Sequence, residues 1–177
     1  MPSIEAVIGI RTHSGWALVV AMAGETPVLR RRIEMGLAQP YHAAESMQPV
    51  AAQMFLDRTR TAAVKMAAAA IRAVIAELET AGYRVKRSAV LTGSGKPLPD
   101  LAKILSAHPL LHTAEGIFFR EVAQAACESC ELRVTAIPER SVAPELVARA
   151  AGMSKVLGPP WTKDEKLSAA AAMSVGR

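Results

Sequence analysis

Two stretches of this sequence repeat one spacing of potential ligands, His42-Ala-Ala-Glu45 and His112-Thr-Ala-Glu115. Residues three apart share a face of a helical turn, so each histidine and its glutamate could address one ligand together. Imidazole with carboxylate suits zinc, manganese or iron, and the two pairs would give a divalent metal four ligands of mixed type. The local alternative for His112 and Glu115 is a histidine beside a helix start and a glutamate in a first turn, where the dipole favours negative charge. A second set comprises Arg11, Thr12, His13, Ser94, Lys96, Glu139 and Arg140. Of these, Arg11, Thr12, Ser94, Lys96 and Arg140 are candidate anion-binding residues, and His13, His112, Glu115 and Glu139 are candidate acid-base groups.

Each member of the second set also has a plainer role. Ser94-Gly95-Lys96 can cradle a phosphate through backbone amides and an ammonium group, but it lacks the Walker frame and reads more readily as a plain turn. His13 can be a turn residue, and Glu139 a helix-start carboxylate or a partner of Arg140. Arg11 closes an apolar strand, where a cation requires an acid or a ligand; Glu115 and Glu139 are its expected structural partners. Cys127 and Cys130 form a C-x-x-C pair at the end of an expected helix, where the dipole raises a thiol pKa. With no second pair to complete a zinc site, they read as ordinary, partly buried thiols. Trp161 can stack on a base or anchor the last helix.

The elements that must position these groups begin with Ala6 to Met22, two apolar strands joined by a short polar turn. A turn at Ala23–Pro27 leads to a third strand, Val28–Met35, whose arginines suggest a solvated face or edge. Residues 36–49 read as a loop. Val50 to about Ala81 reads as a long helix stopped by Gly82, and Val85–Thr92 as a fourth strand running into a flexible turn at 93–97. A short helix at 98–107 follows, with Pro109 as an interruption and Thr113 as the expected cap of a helix over 114–129. Leu132–Ile137 is the fifth strand, and helices are expected at 142–151 and 162–174. Three antiparallel strands followed by parallel strands reached through helical crossovers give an α/β mixed sheet with helices on both faces. Strands one, three, four and five then all deliver their carboxyl ends to one pole, where open sheets usually bind ligands.

This order resembles the ribonuclease H-like fold, and within it the RuvC-like, Holliday-junction resolvase branch. Val7-Ile-Gly-Ile-Arg-Thr-His-Ser-Gly-Trp-Ala-Leu-Val-Val20 is similar to that branch's opening strand, turn and second strand. Pro159-Pro-Trp-Thr-Lys-Asp-Glu-Lys-Leu-Ser-Ala-Ala-Ala-Ala172 looks like its closing helix. The resemblance implies a nuclease with an aspartate on the first strand, an acid at the end of the fourth and acids on the final helix, together holding two magnesium ions. Here Arg11 stands at the first position and Leu91-Thr92-Gly93 brings no carboxylate, while Asp164 and Glu165 remain. A cation at that position repels the metals, so the two-metal site is expected to be absent.

Length and composition narrow the remaining choices. The 177 residues, 51% hydrophobic, suit a single domain spanning 1–177 that needs neither disulfides nor metal to fold. A net charge of +5 permits contact with phosphate backbones or acidic surfaces. Two Trp, two Tyr and three Phe are too few for a platform on which single-stranded bases stack. No secretory signal is visible and the Ala-rich stretches are too interrupted or too short to span a bilayer, so a cytoplasmic protein is expected. Two functions compete: a domain acting on or binding a phosphate-bearing or nucleic-acid ligand at the polar pole, with a divalent metal as a candidate cofactor, and a non-catalytic binding or assembly module that has lost the acids. The second would pair as a homodimer through the long helix at 50–81. Small-molecule phosphate binding at residues 93–96 is a third reading.

Overall fold

Continuous apolar runs along the amino-terminal segment, buried on both faces, build an antiparallel meander in the computed structural model, which describes residues 4–176. Strands β1 (Ile4–His13), β2 (Trp16–Ala23) and β3 (Thr26–Glu34) follow one another, with His13 opposite Trp16 and Arg11 opposite Leu18. Strands β4 (Tyr83–Thr92) and β5 (Arg133–Pro138) add in parallel, giving the order β3-β2-β1-β4-β5. The expected mixed five-stranded sheet, three strands antiparallel and two parallel, is present.

Side chains of β1 and β2 divide between two cores because successive residues of a strand face opposite ways. Ile8, Ile10 and Val19 point toward α2 (Pro49–Thr80) and α4 (His108–Ser129), joining Ile71, Leu78, Phe118 and Phe119. Val7, Leu18 and Val20 point toward α5 (Pro144–Ala151) and α6 (Lys163–Val175), joining Leu146 and Leu167. Arg11 and His13 continue the Val7 face, whereas Thr12 shares the face of Ile8 and Ile10. One strand therefore sends its polar end residues to both sides of the sheet. No helix among the described residues is long and apolar enough to cross a membrane.

Proline accounts for two departures from the sequence expectations. Pro40 opens a short helix, α1 (Pro40–Ala44), within the stretch read as a loop. Pro109 does not interrupt but lies in the first turn of α4, and Thr113, the expected cap, is inside that helix with its hydroxyl donating to the Pro109 carbonyl at 3.0 Å. Helices α2 and α5 also carry proline in the first turn. Its missing N–H would be unpaired there anyway, and its fixed φ suits the helix. The short helix is confined to α3 (Leu101–Leu105), where the Asp100 carboxylate accepts the Lys103 N–H at 2.9 Å. After β5 the chain makes a 3-10 turn at Glu139–Ser141 before α5, so the expected helix over 142–151 starts later than its sequence suggests.

The three consecutive arginines of edge strand β3 have separate partners. Arg30 donates to the carbonyls of Gly158, at 3.0 Å, and Pro160. Arg31 meets Glu77 of α2 at 2.6 Å. Arg32 pairs with Glu34 at 3.0 Å and lies 4.1 Å over the Trp16 ring. Trp161, 9% exposed, donates its indole N–H to the Ala150 carbonyl at 2.7 Å, tying the 158–161 loop to α5. It is therefore the anchor of the last helix rather than an exposed stacking surface.

Helix α6 lies unusually close to β1. A Cβ at Gly9 would come within 1.8 Å of the Ser168 carbonyl oxygen, a backbone atom that cannot swing aside. The buried alanines 169–172 complete this small-residue contact. Gly9→Ala must push the helix off the sheet, which costs about 1–3 kcal/mol or more. Thermal unfolding followed by circular dichroism should show a melting temperature lowered by roughly 5–10 °C.

Candidate functional site

At the carboxyl end of β1, the Arg11 guanidinium is held between two carboxylates from distant parts of the chain. Its Nε donates to Glu139 at 3.1 Å and its Nη1 to Asp164. His13 Nε2 lies 2.9 Å from the other Asp164 oxygen, and the His13 ring stacks on Trp16 at 4.1 Å. Lys163 adds a second cation to Glu139 at 3.4 Å. Each member is positioned by local structure. Register puts Arg11 and His13 on the α6 face, the 3-10 turn after β5 presents Glu139, and a capped helix start fixes Asp164. At that cap the Thr162 hydroxyl accepts the Asp164 N–H at 3.2 Å, while the Glu165 carboxylate accepts the Thr162 N–H at 2.7 Å.

The electrostatics follow from partial burial. Burial opposes the Arg11 cation, but hydrogen bonding and charge from Glu139, together with Asp164, outweigh it and raise its pKa. Burial likewise pushes the Glu139 carboxyl up, yet Arg11 and Lys163 overcome this and hold it below the ordinary glutamate range. Arg120 on α4 is the exception. Desolvation lowers its pKa, attraction to Glu139 only partly compensates, and Arg11 repels it. Its guanidinium runs past Gly116 to Gly93, where a Cβ would meet Nη1 at 2.5 Å. Sequence reasoning missed Arg120; the glycine ending β4 was the available signal, because glycine at a strand end often marks a close approach.

The other candidates form a separate group on the α2 and α4 side of the sheet. His42 of α1 lies with its Nδ1 2.8 Å from Glu115 Oε1, and the same oxygen accepts the His42 backbone N–H at 3.2 Å. Glu115 is 2% exposed. It is therefore neither a partner of Arg11 nor directed to a common ligand with His112; Asp164 takes the place expected of it beside Arg11. Glu45 is exposed at the end of α1, where its backbone N–H donates to the His42 carbonyl at 3.2 Å. His112 instead meets His108, a residue not singled out in the sequence, with Nε2 atoms 3.1 Å apart. The single pocket expected at the pole thus divides into two groups, because Arg11 and Thr12 leave opposite faces of one strand.

Between β4 and the 3-10 turn lies an open cleft of about 400 Å³ lined by Thr92, Gly93, Ser94, Glu139, Arg140 and Leu167. Ser94, Lys96 and Arg140 are exposed at this end. The two cysteines lie elsewhere, at the far end of α4. Burial pushes the Cys127 thiol up to about 12, and the Cys130 thiol donates to the Ala68 carbonyl at 3.5 Å. Neither arrangement favours thiolate chemistry.

The Arg11 bridge makes two measurable predictions. Arg11→Ala leaves Glu139 and Asp164 without their shared donor and should destabilise the chain by about 1–3 kcal/mol in denaturant unfolding; Arg11→Lys should recover only part, since an ammonium lacks the planar fork. The Glu139 contribution should also depend on pH. Because its folded pKa is depressed, the stability difference between the parent chain and Glu139→Gln should be constant near neutrality. It should vanish as pH falls through that depressed value, beneath the ordinary one of roughly 4.3.

No protein-family model matches the sequence, and no curated protein matches it. Solved structures do, two RuvC structures among them. Thermus thermophilus RuvC in complex with a Holliday junction substrate superposes with a TM-score of 0.55 at 11% identity, covering 96% of this chain and 91% of that one. A further Thermus thermophilus RuvC structure gives 0.54 at 12% identity, covering 96% and 92%. With the strand order and helix placement above, these likenesses establish that the chain has a RuvC-like ribonuclease H fold.

Proposed function

We propose that this chain is a nucleic-acid-binding domain that contacts phosphates at the carboxyl end of its sheet and does not cut through a two-magnesium site. The Arg11 bridge carries the reading. A guanidinium bonded to both Glu139 and Asp164 supplies from within the chain the positive charge that clustered carboxylates otherwise draw from metal ions. Magnesium demands near-octahedral oxygen ligation, and the pole offers it a cation between two acids that are already paired. The end of β4, Thr92-Gly93, adds no carboxylate. The residues present do not fit the pair of magnesium ions that the fold implies.

Anion binding is supported by the groups around the cleft. Arg120 is half-desolvated, with its charge only partly compensated by Glu139. Arg140, Lys96 and Lys163 are exposed at the same end. Backbone phosphate satisfies such cations through charge-assisted hydrogen bonds and carries no sequence requirement. The RuvC structure holding a Holliday junction substrate makes branched DNA the first ligand to test.

Fluorescence anisotropy with a labelled four-way junction, a duplex and a single strand, repeated across salt concentrations, tests this. The junction should bind most tightly, with affinity falling as salt rises, and Lys96→Ala and Arg140→Ala should each reduce the logarithmic salt slope by about 0.9. Magnesium should not lead to strand cleavage. Background binding to all three DNAs, or magnesium-dependent cutting, overturns the proposal.

A further inference from the structure

Three of the four histidines of the chain converge at one place, although 66 residues of sequence separate the first from the second. His108 and His112 stand four apart on the first turns of α4 and so share a face, while His42 comes from α1. One ring nitrogen from each lies within 4.8 Å of the others. The rings meet edge to face or tilted, with centroids 4.7–5.1 Å apart, and do not stack. His108 Nε2 and His112 Nε2 are 3.1 Å apart. Two nitrogens bound to one tetrahedral ion at about 2.05 Å are separated by about 3.3 Å.

Glu115 gives this group an orienting residue. Its carboxylate, 2% exposed, accepts the Nδ1–H of His42 at 2.8 Å and the His42 backbone N–H at 3.2 Å. That fixes the tautomer and leaves the Nε2 lone pair of His42 free. A histidine whose second nitrogen donates to a carboxylate is the usual outer arrangement of a metal-bound imidazole, where it orients the ring and raises its basicity. A buried negative charge behind the ligands also favours a cation in front of them.

We propose that His42, His108 and His112 form a three-histidine site for a divalent cation of the zinc class, with Glu115 as its positioning residue. Neutral imidazoles select zinc, cobalt, nickel or copper over magnesium and calcium, which prefer oxygen ligands. His108 and His112 are exposed and His42 half-buried, so the fourth position faces solvent and takes water. The site lies across the sheet from the Arg11 bridge and stands independently of nucleic-acid binding.

The test is titration of the metal-free chain with Co²⁺, read by its visible absorption, and with Zn²⁺ by calorimetry. The expected result is one ion per chain, with an intense spectrum of low coordination number. His108→Ala and His112→Ala, at exposed positions that should not disturb folding, should each abolish that spectrum, whereas His13→Ala should leave it unchanged. Glu115→Gln should weaken zinc binding about 10–100-fold, with circular dichroism verifying that this variant is folded. Magnesium should give no heat attributable to these residues. A Co²⁺ spectrum no different from the aqueous ion, or binding that survives both His108→Ala and His112→Ala, overturns the proposal.

Discussion

The carboxyl pole of this molecule is organised by one guanidinium shared between two acids. Arg11 ends the central strand β1, Glu139 follows β5, and Asp164 opens α6, so a single side chain joins three elements. Its geometry depends on the close seating of α6 against Gly9, which brings the first turn of that helix to the end of β1. A bulkier residue at position 9 would move Asp164 as well as the helix. Arginine suits the role because its planar fork presents several donors in fixed directions, each able to meet a different carboxylate. The pairing offsets the desolvation of Arg11 and Glu139, as the opposite directions of their shifts reflect.

The sheet turns one row of polar residues into two chemically distinct places. Arg11 and His13 belong with α6, while Thr12 faces the side that holds α1, α2 and α4. The first group is rich in ion pairs; the second is built of imidazoles around a buried glutamate. Helix α4 is common to both, since Glu115 supports the histidines and Arg120, five residues later, reaches the end of β4.

Most of the fold was legible because its signals are local and periodic. Apolar runs bounded by turn residues marked the strands, Gly82 stopped the long helix, and the helix-separated fourth and fifth strands implied parallel pairing. Pro40 and Pro109 were misleading, because the same residue that breaks a helix interior favours a first turn, and sequence alone does not say which position it will take. The site was less legible. Arg11 was recognisable as a cation needing an acid, and Glu139 was among the partners expected. Asp164, 153 residues away, depended on how α6 seats on the sheet. The His-x-x-Glu spacing assumed that each pair acts within its own turn, whereas Glu115 bonds across to His42, and His108 joins His112 at a spacing of four.

The arginines of β3 bear on how copies of this chain meet one another. β3 is an outer strand whose far side has no neighbouring strand, and such an edge offers unpaired peptide groups to any other extended chain. Arg30, Arg31 and Arg32 reach in turn to the 158–160 loop, to α2, and across Trp16. Three consecutive long side chains so arranged crowd the border, while Glu77 and Glu34 offset the charges of Arg31 and Arg32. Charged side chains held in this way along an outer strand discourage edge-to-edge pairing with another extended segment.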